Sequence, residues 1–353
     1  MPNGTTGFPQ APSPPDAFRP FFPFTLLARA HERSGRSAIE PTRDAIPATL
    51  LRTEVEGLPA AQQLAGAGRL SVHVARAAEI PHCLQEIGRL RELAFRAAGE
   101  GTGLAADLDR FDAHYLHLFV WDAREAAIAG AYRLGLADEI AARHGRRGLY
   151  THSLFRYGGR VLQAMHPAVE LGRSFVRGEY QRSYAPLMLL WRGIGEFVVR
   201  HPRYATLFGA VSISNDYAPA SRRLIVDFLN AHNLEHALAR HVRPRRPFRS
   251  RAAYDRAQFE ALADIEDVSR MVGRIERDAR GVPILLRQYL KLGGRLLAFG
   301  ADESFGNALD GLIMVDLRGS DPRMLARYMG EAGAAAFLAW HAAAGACRPQ
   351  PAA

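Results

Sequence analysis

Residues 168–199 read AVELGRSFVRGEYQRSYAPLMLLWRGIGEFVV, and this stretch decides the fold. Its first nine residues form a short apolar run with Glu170 and Arg173 set into it, as in a strand laid within a sheet. The polar run 177–184 turns the chain. Beyond it Leu187, Leu190, Trp191, Ile194 and Phe197 recur at helical spacing, with Ser183 and Pro186 marking the helix start. A strand, a turn and a long amphipathic helix therefore occupy the middle of the chain.

Working toward the N-terminus, 127–136 and 115–121 read as two strands joined by the polar turn 122–125, an antiparallel hairpin. Before them, 80–98 places Ile80, Leu84, Ile87 and Leu90 on one helical face and ends at the glycines of 99–103. The run 70–74 alternates as a strand. Toward the C-terminus, 204–213 reads as a strand, 219–229 as a helix, 294–301 and 309–317 as a strand pair, and 322–344 as an Ala-rich helix. The order predicts an α/β domain around one mixed, largely antiparallel sheet flanked by helices. Strand and helix do not alternate strictly, and no G-x-G-x-x-G follows a strand, which disfavours a doubly wound nucleotide fold. Residues 1–65 are expected to be poorly structured, with Phe18, Phe21, Phe22 and Phe24 packing locally. The domain is placed at 66–318 with an insertion at 232–280, and 319–353 is a C-terminal helix and tail.

The 353 residues suit one enlarged domain or two small ones. Hydrophobic residues at 48% and charged residues at 23% exclude a disordered or collagen-like chain. The net charge of +9 is nearly all arginine, because Lys291 is the sole lysine. Arginine favours bidentate contact with carboxylates and phosphates, although a GC-rich coding sequence yields the same bias. Cys83 and Cys347 are too few for a disulfide framework. No run is apolar and long enough to span a bilayer, and the start lacks a secretory signal. The expected location is cytoplasmic, with peripheral contact at the inner membrane as a variant.

Four constellations carry the chemistry: Arg91-x-x-x-Phe95, then Asp107-x-Asp109-x-Phe111-Asp112, then Tyr132-Arg133-Leu134, then Glu170-Leu171-Gly172-Arg173. In this order they resemble the GNAT-like acyltransferases that use acyl carrier protein thioesters. These comprise the acyl-homoserine-lactone synthases (R-x-x-x-F, D-x-[FY]-D, R-L-L, E-L-S-R) and the ornithine-lipid-forming N-acyltransferases with the related hemolysin-like proteins. Gly172 stands where the first group has Ser. The Leu-Leu-Trp-Arg-Gly-Ile segment at 189–194 and Tyr-Leu-Lys-Leu-Gly at 289–293 bring the chain nearer the second group. The resemblance runs from about residue 70 to 318.

That resemblance implies an N-acyltransferase moving a 3-hydroxyacyl or fatty acyl group from acyl carrier protein to the α-amine of ornithine or a similar amino acid. Glu170 suits the base, with Arg173 beside it; the alternative is a structural salt bridge from Glu170 to Arg133 or Arg173. Asp107, Asp109 and Asp112, with Arg91 and Arg133, would hold the amino acid, or form a solvated acidic loop. On a regular strand Glu170 and Arg173 face opposite ways, so the resemblance implies a bulge between them. Donor contacts are expected from Ser174, Phe175 and Val176 and from Gln181, Arg182 and Ser183, with Phe175 and Trp191 lining the acyl chain. The turn 181–186 lacks the glycines that let a backbone close on the pyrophosphate of coenzyme A. A phosphopantetheine thioester on acyl carrier protein asks less of it, and an arginine-rich surface suits that acidic partner. No bound cofactor or metal is expected.

Other signals are weaker. His117 and Asp122 have the H-x-x-x-x-D spacing of glycerolipid acyltransferases, but on a strand they point to opposite faces. His232, His236 and His241 have helical metal-ligand spacing without a Glu or Cys partner. Arg240, Arg243, Arg245, Arg246, Arg249 and Arg251 form a solvated loop or a contact for anionic membrane or carrier protein; no motif supports nucleic acid. A non-catalytic basic protein of the same fold, binding anionic membrane or nucleic acid, is the alternative.

Overall fold

The computed structural model describes residues 39–346, so the phenylalanines at 18–24 and Cys347 lie outside the described residues. The chain first forms α1 (Ala48–Glu56), β1 (Gln63–Ala67), β2 (Leu70–Arg76), α2 (Pro81–Ala97), β3 (Leu116–Asp122) and β4 (Ala127–Leu136). Next come α3 (Ala137–His144), α4 (Thr151–Leu154), β5 (Phe155–Tyr157), α5 (Gly159–Met165), β6 (Ala168–Val176), α6 (Ala185–Arg200) and β7 (Thr206–Ile213). Then follow α7 (Pro219–His232), α8 (His236–Ala239), β8 (Val242–Pro244), α9 (Arg256–Glu260), α10 (Ile265–Ile275) and α11 (Ile284–Lys291). The chain closes with β9 (Arg295–Asp302), β10 (Ala308–Asp316) and α12 (Pro322–Ala346).

Eight strands form one sheet in the order β1-β2-β3-β4-β6-β7-β10-β9, antiparallel at every step except β6–β7, which is parallel. That parallel ladder consists of three pairs: Ala168 with Thr206, Val169 with Leu207 and Glu170 with Phe208. Beyond it β6 stays paired to β4 and β7 to β10, so the inner edges of the two strands part. At the fork Gly209 lies against the Leu171 carbonyl so closely that a Cβ would collide with it. Period-two alternation sorts β3 cleanly. Leu118 and Val120 join the core beneath α6, with Leu190, Trp191 and Ile194. Phe119 and Trp121 join the opposite core, beneath α1 and α2, with Ile80, Cys83 and Ile87.

The structure departs from the sequence reading in four places. The segment before residue 65 is not wholly unstructured. Leu51 and Val55, one helical turn apart, bury α1 in the core that holds Cys83 and Ile87, and a nine-residue helix is too short to declare a period. β1 (QLAGA) is a small-residue edge strand without alternation. Within 232–280, the three-residue β8 pairs with β5 outside the main sheet. The C-terminal helix is interrupted at Gly330, whose φ of 73° no regular helix contains. No helix among the described residues is long and apolar enough to cross a membrane.

Candidate active site

The four constellations do converge, but on one another. Arg91, 1% exposed, reaches from α2 to both oxygens of Asp112 at 3.1 and 2.9 Å, and its Nε lies 2.9 Å from Asp107. Arg133 on β4, equally buried, pairs with Asp109 at 2.7 Å and Asp112 at 3.2 Å. Arg173 on β6 faces Asp107 at 3.5 Å and Asp109 at 3.6 Å. Three guanidiniums and three carboxylates thus balance in a largely closed network, as buried charges must. Burial would raise the Asp112 carboxyl, but Arg91 and Arg133 outweigh it and hold it well below the usual carboxylate range. The carboxylates of the aspartate loop are thus each paired with guanidiniums, an arrangement that favours holding the loop over binding a cationic substrate side chain. Arg91 and Arg133 thereby clamp that loop to α2 and β4.

Glu170 lies apart from that network. It is 1% exposed, and its carboxylate accepts from the backbone N–H of Thr151 at 2.6 Å, from that of Tyr150 at 3.1 Å, and from the Tyr115 hydroxyl. These donors tie the strand to the first turn of α4. Neither Arg133 nor Arg173 pairs with it among the described residues. Oε2 takes two of these donors and Oε1 a single one, so the carboxylate serves as a strut between β6 and the loop before α4.

The bulge is present. Ala131 pairs with Phe175 and Arg133 with Gly172, so both Arg173 and Ser174 lie opposite Tyr132. Arg173 absorbs the extra residue with a φ of 51°, a region that non-glycine residues seldom occupy. The kink turns the guanidinium onto the face of the aspartates, over the rings of Tyr150 at 4.9 Å and Phe305 at 4.8 Å. Such strain gathers where backbone geometry serves a site.

On the donor side, Gln181 donates to the Val176 carbonyl at 2.8 Å, fixing the turn where β6 ends, and Ser183 accepts from the Ala185 N–H at 3.2 Å. Arg182 is exposed there. Phe175 and Trp191 do not share a channel wall. Phe175 belongs to the core with Phe95 and Phe119, whereas Trp191 stacks near Tyr289 at 5.1 Å and Tyr328 at 5.3 Å in the other core. The sheet separates them, which returns both to plain packing. His117 is also structural, its Nε2 2.9 Å from the Asp112 carbonyl.

A GNAT acetyltransferase domain model matches residues 90–192, the run from α2 into α6. Glycine N(alpha)-acyltransferase from Phocaeicola vulgatus is 33% identical over 250 residues, covering 67% of this chain and 76% of that protein. The chain belongs to the GNAT-like N-acyltransferase family. A second glycine N(alpha)-acyltransferase, from Bacteroides thetaiotaomicron, is 33% identical over 234 residues, 62% of this chain and 68% of that protein. No solved structure matches significantly.

An N-acyltransferase needs a group that can take a proton from an amine, and the structure of this one gathers carboxylates that the sequence reading did not single out. Glu100 follows α2, Asp216 follows β7, Asp302 ends β9 and Asp310 sits in β10. Gly99 lies against both the Asp216 carboxylate and Gly306 of the β9–β10 turn. Tyr150 donates to Asp302 at 3.3 Å, and the Ser212 hydroxyl donates to Asp310 Oδ1 at 2.7 Å. Burial, with Asp310, Asp216 and Asp302 nearby, pushes the Glu100 carboxyl up to about 8 despite Arg173. Burial likewise lifts Asp310 to about 7, against its Ser212 bond and Arg173 and with help from Asp302. A signal did exist: Asp310 interrupts the apolar strand Leu309-Asp310-Gly311-Leu312-Ile313, and a lone carboxylate in a buried strand demands a reason.

Proposed function

We propose that the chain transfers a long-chain fatty or 3-hydroxyfatty acyl group from acyl carrier protein to the α-amine of a small amino acid, glycine foremost, forming an N-acyl amino acid of lipid character. The observation that carries the reading is the parting of β6 and β7 beyond Glu170 and Phe208, with Arg173 at its inner end. Unpaired strand edges suit an extended, amide-bearing arm such as phosphopantetheine, which can add as a strand between them. The turn 181–184 lies where that arm would leave the protein, and its lack of glycines favours a single phosphate over a pyrophosphate. The relatives named above act on glycine by their names. Glycine also fits an aspartate loop whose carboxylates are spent on Arg91, Arg133 and Arg173, which leaves it no charge for ornithine's side chain.

The test is a reconstituted reaction with the full chain, 3-hydroxypalmitoyl carrier protein or the matching coenzyme A thioester, and glycine or ornithine, read by mass spectrometry. N-acylglycine formed from the carrier thioester is expected. Preferential acylation of ornithine would restore the cationic acceptor. Equal use of the coenzyme A thioester would remove the carrier protein. No product with any amino acid would leave the non-catalytic basic protein standing.

A further inference from the structure

The second carboxylate cluster lies at the fork of the sheet, and it is not closed on itself. It is walled by the loop after α2 (Glu100), the β9–β10 turn (Asp302, Phe305), β10 (Asp310) and Tyr150. Asp310 is 3% exposed, and only its Oδ1 carries a hydrogen bond among the described residues, leaving Oδ2 open. Arg173 is nine-tenths buried, lies close enough to act on both Glu100 and Asp310, and has an Nε without any hydrogen-bond partner. An amino acid presents an ammonium and a carboxylate one carbon apart, the complement of this arrangement. Carboxylates gathered without a matching cation await a positive ligand, and an unsatisfied buried guanidinium N–H awaits an acceptor.

We propose that this cluster is the acceptor site, in which Arg173 holds the α-carboxylate while Asp310, assisted by Glu100 and Asp302, receives the α-ammonium and takes its proton. The assignment rests on the acyl-transfer reading and names a base other than Glu170. Asp310 Oδ2 accepts one proton from the ammonium. The freed lone pair attacks the thioester carbonyl carbon, forming the C–N bond. The C–S bond breaks, and the departing thiolate takes up the second proton that the nitrogen sheds. Ammonium and thioester thus become amide, thiol and one proton, which leaves from Asp310. A carboxyl lifted to about 7 suits this work, because a base acts best when its affinity for protons matches the surroundings. The charged or titratable groups facing the pair Asp310 and Glu100 are Asp216, Asp302, Arg173, Tyr150 and Tyr217.

The experiment compares two acceptors, glycine and aminooxyacetate, whose nitrogen is already unprotonated at neutral pH. Asp310→Asn is expected to slow acylation of glycine by about 10²–10⁴-fold, and acylation of aminooxyacetate by less than about 10-fold. Equal losses with both acceptors, or no loss with glycine, would overturn the assignment. Asp302→Asn supplies an independent reading should Asp310→Asn fail to fold. Asp302 helps to raise Asp310, so removing its carboxylate lowers the proton affinity of Asp310 and the acid limb of kcat/KM moves to lower pH; an unmoved limb overturns the proposal. A wild-type chain that acylates neither acceptor defeats the parent reading and this assignment together. A wild-type chain active on glycine with an indifferent Asp310→Asn variant defeats this assignment alone.

Discussion

Asp310 carries a stability cost that can be measured apart from any activity. Its folded-state proton affinity is raised, so the folded protein binds more protons than the unfolded chain between about pH 4 and about pH 7. Stability therefore falls as pH rises through that window. Asp310→Asn removes the buried charge and should stabilise the fold at pH 8 by on the order of 1–4 kcal/mol, with the gain vanishing near pH 4. Urea titrations at the two pH values check this. Glu170 should behave oppositely. Glu170→Gln puts an amide N–H₂ before the backbone donors of Tyr150 and Thr151 and should cost about 1–3 kcal/mol, while molecules that remain folded still transfer acyl groups. A full-strength melt with abolished turnover would return Glu170 to the chemistry. At this scale the motifs identified residues that truly meet, including Arg91 with Asp112 and Arg173 with Asp107. Their roles were not legible, because spacing along a chain does not say whether opposite charges satisfy each other or wait for a ligand.

Most strands and long helices were legible because their periods are long enough to count. β6 spans the nine residues read as a strand, and α2 and α6 differ from expectation by a residue or so at each end. What escaped was α1, the three-residue strands β5 and β8, and the helices inside 232–280, the 11-residue α10 among them. Two glycines show how tightly the fork is drawn. Gly130 on β4 leaves room for the Phe175 carbonyl of the bulge, 2.6 Å from where its Cβ would be. Gly209 does the same for the Leu171 carbonyl. Gly209→Ala must push β7 from β6 at the last point where they touch, an overpacking cost of about 1–3 kcal/mol. The expected outcome is a lower denaturation midpoint and reduced turnover. A variant with wild-type stability would mean that the two strands yield there without penalty.

Across the whole molecule the excess of arginine is unevenly spread. Arg147, Arg156, Arg243 and Arg245 border one surface depression with His152, and Arg156 stands directly opposite Arg243 in the β5–β8 ladder. Like charges opposed across a ladder are destabilising unless an anionic partner relieves them. With acyl carrier protein as donor, raising salt from ~0.1 M to ~1 M shortens the Debye length from about 10 to about 3 Å. The KM for the carrier thioester should then rise while kcat changes little. Arg156→Glu with Arg243→Glu should raise that KM several-fold and leave the KM for a free acyl-pantetheine thioester unchanged. A KM unmoved by either treatment would place carrier docking elsewhere.

The forked sheet also divides the polypeptide in time. The strands on one side of the fork, β1 to β4 and β6, come from residues 63–176, and those on the other, β7, β9 and β10, from residues 206–316. The ribosome therefore releases one half-sheet complete before the first strand of the other exists. Each half closes its own antiparallel ladders from within its own stretch of chain, and three parallel pairs remain for the end. Such an order favours local assembly first and joining last. A chain cut at the exposed His201, between α6 and β7, should then yield two pieces that find each other when co-expressed and recover acyl transfer. Pieces that aggregate separately would show that neither half-sheet persists without its neighbour.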